Sequence, residues 1–313
     1  MDNLKHLSVL LKECIDGLDV KPGGIYFDGT LGGGGHTYQI LKQSSPDGQV
    51  VATDLDDYAI NKAQDRLKEF GNRFAPVKDN FKNFANIKTQ LNIDGFDGIL
   101  LDLGVSSFQL DDKSRGFSYL ADDEELDMRM NKDALLSAKT IVNEYSETEI
   151  KRIITEYGED RFASVIAKNI VLERKLGKIE TVGQLNSIID KSIPAKFKKD
   201  GHPSKRTFQA LRIEVNGELD GLYETIIQMV HGLKKGGRIA VISFHSLEDR
   251  IVKNAFKELE TDCICDKSLP ICVCGKKREI NILTKHPIIA SEEELKNNSR
   301  AKSAKLRIAQ KII

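Results

Sequence analysis

The 313-residue sequence has no long hydrophobic run. No segment approaches the roughly 20 consecutive apolar residues of a membrane-spanning helix. The apolar stretch before Lys12 is also too short for the core of a secretory signal peptide. Cysteine is scarce, with five residues in the chain, which argues against a disulfide-stapled scaffold. We therefore expect a cytoplasmic protein with no membrane partner.

The sequence also lacks an excess of charge of either sign. Its 47 Lys and Arg residues balance 47 Asp and Glu residues, so the formal net charge is +0. A polyanionic partner would therefore have to be bound by a local basic patch. The composition, 40% hydrophobic and 30% charged, is typical of a chain with a packed core rather than a disordered or collagen-like one. The length favours two units.

Short apolar runs alternate with segments of helical periodicity along most of the chain. This alternation predicts an α/β fold with a doubly wound, mostly parallel sheet. Two late runs are expected to add a closing antiparallel pair. The predicted strands lie at 24–30, 49–56, 75–78, 96–103 and 237–244, and the closing pair at 279–284 and 305–310.

About a hundred residues after Gly104 show helical patterns and no strand pattern, which predicts an all-helical insertion. We place the sheet domain at 1–108 and 207–313 and the insertion at 109–206. The segment LYETIIQMVHGLKKGG before the fifth predicted strand reads as a helix with lysines in its last turn and a glycine stop.

Four consecutive glycines, Gly32–Gly35, follow the first predicted strand and precede a helix. Backbone without Cβ atoms can approach a ligand closely there, although a simple flexible turn is the alternative. Asp54 ends the next strand about 20 residues further on, where it could accept hydrogen bonds from a ribose. A dinucleotide fingerprint would need a third glycine where Thr37 stands. The pattern indicates a nucleoside without a polyphosphate, of which S-adenosylmethionine is the common example.

Other candidate side chains follow the third, fourth and fifth predicted strands. Phe81 could stack on a purine or pack in the core. Asp102 could lie near a cationic sulfonium, accept a hydrogen bond from a substrate amine, or cap the strand end. Gln109 could reach the cofactor through its neutral amide. His245 could be a general base, but a hydrogen-bonded structural histidine is the commoner outcome.

Several strings together resemble one family, the RsmH (MraW) family of ribosomal RNA small-subunit methyltransferases, in order along nearly the whole chain. They are HLSVLL at 6–11, DGTLGGGGH at 28–36, LDLGVSS at 101–107, RGFSY at 115–119, LDMRM at 126–130, YGEDRFA at 157–163, RTFQALRIEVN at 206–216, VISFHSLEDRIVK at 241–253 and SRAKSAKLR at 299–307. The resemblance implies a Rossmann-like class I methyltransferase that uses S-adenosylmethionine. It also implies N4-methylation of one cytidine in 16S ribosomal RNA, position 1402 in the usual rRNA numbering, and a role for the helical insertion in recognising RNA.

Asp102 is the expected catalytic residue, because a cytosine amine is a poor nucleophile that an acceptor holding its N–H groups would assist. Matched motif by motif, the resemblance implies seven cofactor contacts. They are Gly34, Gly35, His36, Asp54, Phe81, Asp102 and Gln109. The chain departs from the family pattern at Phe108 and at the acidic run 122–125, which puts the local loop geometry in question. Phe108, Phe117 or Phe244 could stack on the cytosine.

Two basic stretches could contact RNA phosphates despite the neutral total. They comprise Lys191, Lys196, Lys198, Lys199, Lys205 and Arg206 in one segment, and Lys296, Arg300, Lys302, Lys305, Arg307 and Lys311 in the tail. Arg206 is the strongest candidate because it opens a distinctive motif, whereas an ordinary solvated surface is the alternative for each of the others.

Four of the cysteines, Cys263, Cys265, Cys272 and Cys274, form two C-x-C pairs separated by six residues. The set is close enough to surround one tetrahedral zinc, although C-x-x-C is the usual spacing, so a structural zinc is a hypothesis. Two other functions remain open for the chain as a whole. One is a nucleotide-dependent oxidoreductase, and the other is a non-catalytic RNA-binding factor of ribosome assembly.

Overall fold

A computed structural model describes residues 7–105, 112–266 and 271–313. The chain forms two compact units. Met1–Gly104 with Asp220–Ile313 make the first, here the sheet unit, and Val105–Leu219 make the second, the helical unit. The second boundary lies beyond the predicted residue 206, because the helix Lys205–Asn216 buries Phe208 and Leu211 in the core of the helical unit.

The sheet unit contains a seven-stranded sheet in the order β3-β2-β1-β4-β5-β7-β6. Strands β1 to β5 pair in parallel, whereas β7 is antiparallel to both of its neighbours. The expected α/β, mostly parallel sheet with a closing antiparallel pair is therefore confirmed. The strands are β1 Ile25–Asp28, β2 Gln49–Asp54, β3 Phe74–Lys78, β4 Phe96–Asp102, β5 Leu233–Ser243, β6 Ile280–Ile282 and β7 Lys305–Lys311.

The α-helices fall into both units and are numbered in chain order. Among the described residues, the sheet unit holds the first four and the last three, and the helical unit holds the five between them. They are α1 Leu11–Leu18, α2 Gly35–Gln43, α3 Asp57–Leu67, α4 Phe84–Gln90, α5 Ala138–Glu144, α6 Glu147–Glu156, α7 Ala163–Glu173, α8 Val182–Ser192, α9 Lys205–Asn216, α10 Leu222–Gly232, α11 Ser246–Glu260 and α12 Glu292–Asn297.

The strand order creates a crevice at the carboxyl end of β1. Strand β1 has β2 on one side and β4 on the other, so the connections that leave these strands diverge there. In open α/β sheets, ligands bind outside the carboxyl ends of the strands at such a switch point. The residues that follow β1, β2 and β4 therefore meet at one edge.

The start of β5 corrects one prediction. The helix expected to have lysines in its last turn and to stop at the glycines 236 and 237 instead ends at Gly232, and β5 begins at Leu233. Leu233 is buried and pairs with Phe96 of β4, while Lys234 forms an ion pair with Asp97 at 2.8 Å. The two lysines therefore lie on the strand, because pairing with β4 outweighs the local helical signal.

The helical unit has an apolar core of its own, contributed by all five of its helices. Ser146 begins α6 with a capping box: its side chain accepts from the backbone N–H of Glu149, and the Glu149 carboxylate accepts from the N–H of Ser146. Such caps each stabilise a helix by about 1 kcal/mol. The Ser-x-x-Glu spacing of residues 146–149 is a sequence signature of such a helix start.

Within residues 7–105, 112–266 and 271–313, no helix is both long enough and apolar enough to cross a membrane.

Candidate active site

The loop after β1 is held by a buried carboxylate. Asp28 is the last residue of β1 and is 1% exposed. Its oxygens accept hydrogen bonds from the Thr37 hydroxyl at 2.6 Å and from the backbone N–H of Thr30 at 3.1 Å. Burial raises the pKa of Asp28 above its usual range. The residue where a third fingerprint glycine would stand, Thr37, thus holds the loop through this carboxylate.

The glycine loop needs glycine at defined positions. Gly32 and Gly34 have φ angles of +47° and +70°, in the left-handed region that other residues rarely adopt. A Cβ on Gly35, at the start of α2, would lie 1.9 Å from the Ser8 hydroxyl oxygen, so Ser8 would have to move to admit a side chain there. The loop is a defined backbone surface and not a freely flexible turn.

Asp54, at the end of β2, is bound to the glycine loop. One carboxylate oxygen accepts from the backbone N–H of Gly32 at 2.9 Å, and the other from that of Asp56 at 2.9 Å. The carboxylate also accepts from the backbone of Leu55. Since a carboxylate has about four lone-pair sites, it can still accept from a ribose hydroxyl. Asp54 therefore positions the loop and remains available to a nucleoside beside it.

His36 is buried one residue into α2, and burial lowers its pKa to about 4. The ring is therefore neutral near pH 7. Its Nε2 lies 3.1 Å from the carbonyl oxygen of Val9, so Nε2 must carry the proton and Nδ1 is left as an acceptor. Nδ1 faces Asp102, with 4.0 Å between Nδ1 and Oδ2.

Asp102 ends β4 in the same crevice. Its backbone N–H donates to the Thr30 hydroxyl at 2.6 Å, which ties the end of β4 to the loop after β1. Its Oδ1 is buried and has no hydrogen-bond partner among the described residues. Desolvation, followed by the nearby charges of Asp28 and Glu248, raises its pKa to about 8. Oδ1 and Nδ1 of His36 are thus acceptors placed to receive a donor from a ligand.

A comparison with Phe84 decides between the two roles that the sequence allows for Phe81, stacking on a purine and packing in the core. Phe84 is a core residue, fully buried, with its ring 5.1 Å from that of Phe27 and 5.6 Å from that of Phe96. Phe81 is half-buried in a short turn after β3, and its Cβ would touch a side chain placed on Gly29. A ring beside the glycine loop that remains partly exposed suits a purine better than a core role.

The remaining predicted residues divide into three groups. Gln109 and Phe108 lie outside the described residues. Phe117 is buried in the core of the helical unit, which favours a packing role over cytosine stacking. Phe244, half-buried just after β5, remains a candidate.

His245 has a structural role. It precedes α11 and forms a capping box: its Nδ1 accepts from the backbone N–H of Glu248, and Nε2 lies 3.2 Å from the Glu248 carboxylate. Glu248 was missed by sequence reasoning, although it is buried and helps to raise the pKa of Asp102. Its position three residues after His245, at the start of a helix, is the capping-box spacing that could have revealed it.

The geometry fits a cationic nucleoside ligand. A glycine surface, a carboxylate that can bind ribose and a partly exposed aromatic ring surround the carboxyl edge of the sheet. The unsatisfied Oδ1 of Asp102 lies at the end of β4. A buried carboxylate oxygen without a partner is costly unless a ligand supplies a donor or positive charge.

A model of the MraW methylase family matches residues 3–312 of the sequence. The chain belongs to the MraW methylase family. Ribosomal RNA small subunit methyltransferase H of Clostridium botulinum (strain Kyoto / Type A2) is 54% identical over 308 residues, which cover 98% of this chain and 99% of that protein. Ribosomal RNA small subunit methyltransferase H 2 of Agathobacter rectalis is 52% identical, with 98% of each chain covered. This MraW methylase is therefore a methyltransferase, and S-adenosylmethionine is its methyl donor.

Solved structures with similar folds include an rRNA methylase from Streptococcus thermophilus, with a TM-score of 0.42, 12% identity, and 98% and 99% of the two chains covered. An S-adenosylmethionine-dependent O-methyltransferase from Thermotoga maritima has a TM-score of 0.39 and 12% identity, and covers 99% of this chain and 69% of its own. At these scores, neither likeness adds to the assignment. Family membership, together with Thr37 in place of the fingerprint glycine, favours a methylase over an oxidoreductase.

Proposed function

We propose that this MraW methylase transfers a methyl group from S-adenosylmethionine to the exocyclic N4 of cytidine 1402 in 16S ribosomal RNA. We place the reaction in the cytoplasm, on RNA within the small ribosomal subunit. The observation that carries the proposal is the partnerless Oδ1 of Asp102, beside a glycine loop in a chain of this family.

The cofactor contacts at the described residues are proposed from the positions of the side chains around the loop. Gly34, Gly35 and His36 provide the backbone surface, Asp54 accepts from the ribose, and Phe81 stacks on the adenine. Gln109, which lies outside the described residues, is proposed as a neutral amide partner from the family resemblance alone. When bound, S-adenosylmethionine supplies an electrophilic methyl group on a sulfonium cation.

Asp102 is proposed to act on the amine that receives the methyl group. The lone pair of a cytosine amine is delocalised into the ring, so an acceptor that holds an N–H and draws N4 toward tetrahedral geometry favours transfer. Oδ1 of Asp102 can accept that hydrogen bond. The carboxylate can also take the proton that N4 loses, since a pKa of about 8 lies close to neutral pH. Alignment of the two reactants supplies the rest of the rate enhancement.

The helical unit is proposed to bind RNA through cations and one aromatic ring at its surface. The guanidinium of Arg161 lies 3.9 Å from the ring centroid of Phe197, and the Lys196 ammonium lies 4.9 Å from the same ring. Arg206 is exposed and donates to the carbonyl of Glu159, which leaves further N–H groups for a phosphate. Arginine and aromatic faces of this kind stack on unpaired bases.

Other members of the two basic stretches have protein partners, which makes them poorer candidates for RNA contacts. Lys191 and Lys198 pair with Glu173 and Asp190. In the tail, Lys305 and Arg307 both pair with Asp249 of α11, and Arg307 is buried.

Methyl transfer from labelled S-adenosylmethionine to small subunits that lack the modification tests the proposal. The expected product nucleoside is N4-methylcytidine, and free 16S RNA in a parallel reaction shows whether the assembled subunit is required. Label on cytosine C5 would refute the amine chemistry. Tight RNA binding without turnover would instead support the assembly-factor alternative.

A further inference from the structure

Four cysteine side chains meet in the loop between α11 and β6. Backbone hydrogen bonds close the base of this loop, from Glu279 N–H to the Leu259 carbonyl at 2.8 Å and from Ile282 N–H to the Glu260 carboxylate at 3.0 Å. The two C-x-C pairs lie farther out along the loop. We call Cys263, Cys265, Cys272 and Cys274 the cysteine cluster.

All four Sγ atoms of the cysteine cluster lie within 4.8 Å of one another, and four of the six distances between them are close to those of a tetrahedral site. The distances are 3.5 Å for Cys263–Cys272, 3.9 Å for Cys265–Cys272, 3.6 Å for Cys272–Cys274 and 3.9 Å for Cys263–Cys274. A zinc ion with Zn–S bonds of about 2.3 Å separates its tetrahedral sulfur ligands by about 3.8 Å. A disulfide needs about 2.05 Å instead. The spacing is that of ligands around one ion.

Backbone N–H groups support the sulfur atoms as they do in thiolate metal sites. Ile264 N–H donates to Cys274 Sγ at 3.5 Å, and Val273 N–H donates to Cys265 Sγ at 3.3 Å. Each C-x-C segment thus donates to a sulfur of the other. Hydrogen bonds to the ligand atoms orient them and stabilise their negative charge.

Apolar packing does not account for the structure of the loop. None of residues 262–266 and 271–279 is buried. The apolar side chains beside the cysteines are largely in solvent, with Ile264, Ile271 and Val273 exposed by 70%, 74% and 77%. Ordering a backbone residue costs about 1–2 kcal/mol, so this segment needs another source of stability. A metal crosslink supplies it, as it does in other small segments that lack a core.

We propose that Cys263, Cys265, Cys272 and Cys274 bind one zinc ion as four thiolates, and that this ion holds the outer part of the α11–β6 loop in place. A complete set of four sulfur ligands leaves no open coordination position, so the site is structural rather than catalytic. Four thiolates around a divalent ion leave two net negative charges, and Lys276 and Lys277 follow the last cysteine closely enough to offset them. The site is independent of the proposed methyl transfer.

Metal analysis of the full chain, purified without chelator, tests the site directly. We expect close to one zinc per chain. Titration of all four cluster thiols with a mercurial reagent should release it. Cys263→Ser and Cys272→Ser should each lose most of the zinc, whereas Cys14→Ala, which alters the buried cysteine of α1, should keep it.

Two further measurements use the unsubstituted chain, so their outcome does not depend on whether the serine variants fold. Cobalt added to the zinc-free chain should give the intense visible absorption of a tetrahedral thiolate complex. Zinc removal should make the chain more sensitive to trypsin at Lys276, Lys277 and Arg278, and zinc alone should restore resistance. Any of four results would overturn the proposal. These are four free thiols without zinc, two disulfides, iron in place of zinc, and full zinc content in both serine variants.

Discussion

The carboxyl ends of β4 and β5 carry polar side chains at the same edge of the sheet, but the two side chains have different partners. Asp102 follows β4 with a buried Oδ1 that no described residue contacts by a hydrogen bond. His245 follows β5, and its Nδ1 accepts from a backbone N–H in the first turn of α11, while its buried Nε2 lies 3.2 Å from the Glu248 carboxylate without forming a hydrogen bond. Both positions are typical of catalytic residues. The ring of His245 is held by its own helix through Nδ1, whereas no described residue holds Oδ1 of Asp102.

The largest expected effect is at Asp102. Asp102→Ala should lower the rate of methyl transfer by about 10²-fold or more, because it removes the acceptor closest to the chemistry. The measurement is label transfer to unmodified small subunits. Asp97→Ala, which removes a carboxylate from the opposite end of β4, is the matched control and should retain most activity. An Asp102→Ala rate within threefold of the parent would place the chemistry elsewhere.

The glycine surface should show the next largest effect. Gly35→Ala puts a Cβ 1.9 Å from the Ser8 hydroxyl oxygen, so either the Ser8 side chain or the loop must shift. We expect the Kd for S-adenosylmethionine to rise about tenfold, or about 1.4 kcal/mol, by calorimetry. Adding Ser8→Ala should recover part of the loss. Gly177→Ala, where a Cβ meets nothing within 4 Å, should change nothing. Equal affinity in the Gly35 and Gly177 variants would contradict a close backbone approach.

The pH dependence tests whether Asp102 is the acceptor in the reaction. A pKa of about 8 keeps Asp102 largely neutral at pH 6, so kcat/KM should rise as the pH increases through 8 and the acceptor form appears. His36, with a pKa of about 4, stays neutral over this range. The residual activity of Asp102→Asn should be flat with pH. A rise that persists in this variant would assign the titration to another group.

The raised pKa of Asp102 also predicts how the stability of the folded chain depends on pH. Asp102 holds its proton up to about pH 8 in the folded chain but loses it near pH 3.8 when unfolded, so stability falls as the pH rises between these values. Asp102→Asn should therefore raise Tm at pH 9 relative to the parent, with little change at pH 4. A lower Tm at pH 9 would show that the ionised carboxylate is stabilised by a partner.

The smallest effect is expected at His245. His245→Gln should keep methyl transfer within about threefold of the parent, but should lower the free energy of unfolding by about 1 kcal/mol through loss of the helix cap. His245→Asn, which can still cap, should lose less stability. Paired activity and denaturation measurements decide the point. A folded, cofactor-binding His245→Gln chain without activity would make His245 catalytic and remove the contrast with Asp102.

Local patterns allowed much of the fold to be predicted. The strands and the closing antiparallel pair follow from short apolar runs between helical segments, and the capping box at Ser146 follows from residue spacing. The local sequence did not predict the end of α10, because that end depends on distant residues. Gly232 packs against the Phe84 ring, and Leu233 pairs with Phe96 of β4. The second boundary of the helical unit was placed too early for a similar reason, since α9 packs within that unit.

The sequence alone determined the type of fold, the glycine loop and the family, because these depend on residue types at short and regular spacings. Tertiary structure decided which side chains were left without partners. Asp102 and Thr30 are 72 residues apart, yet they meet at the edge of the sheet, where burial and then the charges of Asp28 and Glu248 raise the pKa of Asp102. Burial and charge at a site are sums over neighbours from distant segments, and only the folded chain brings those segments together.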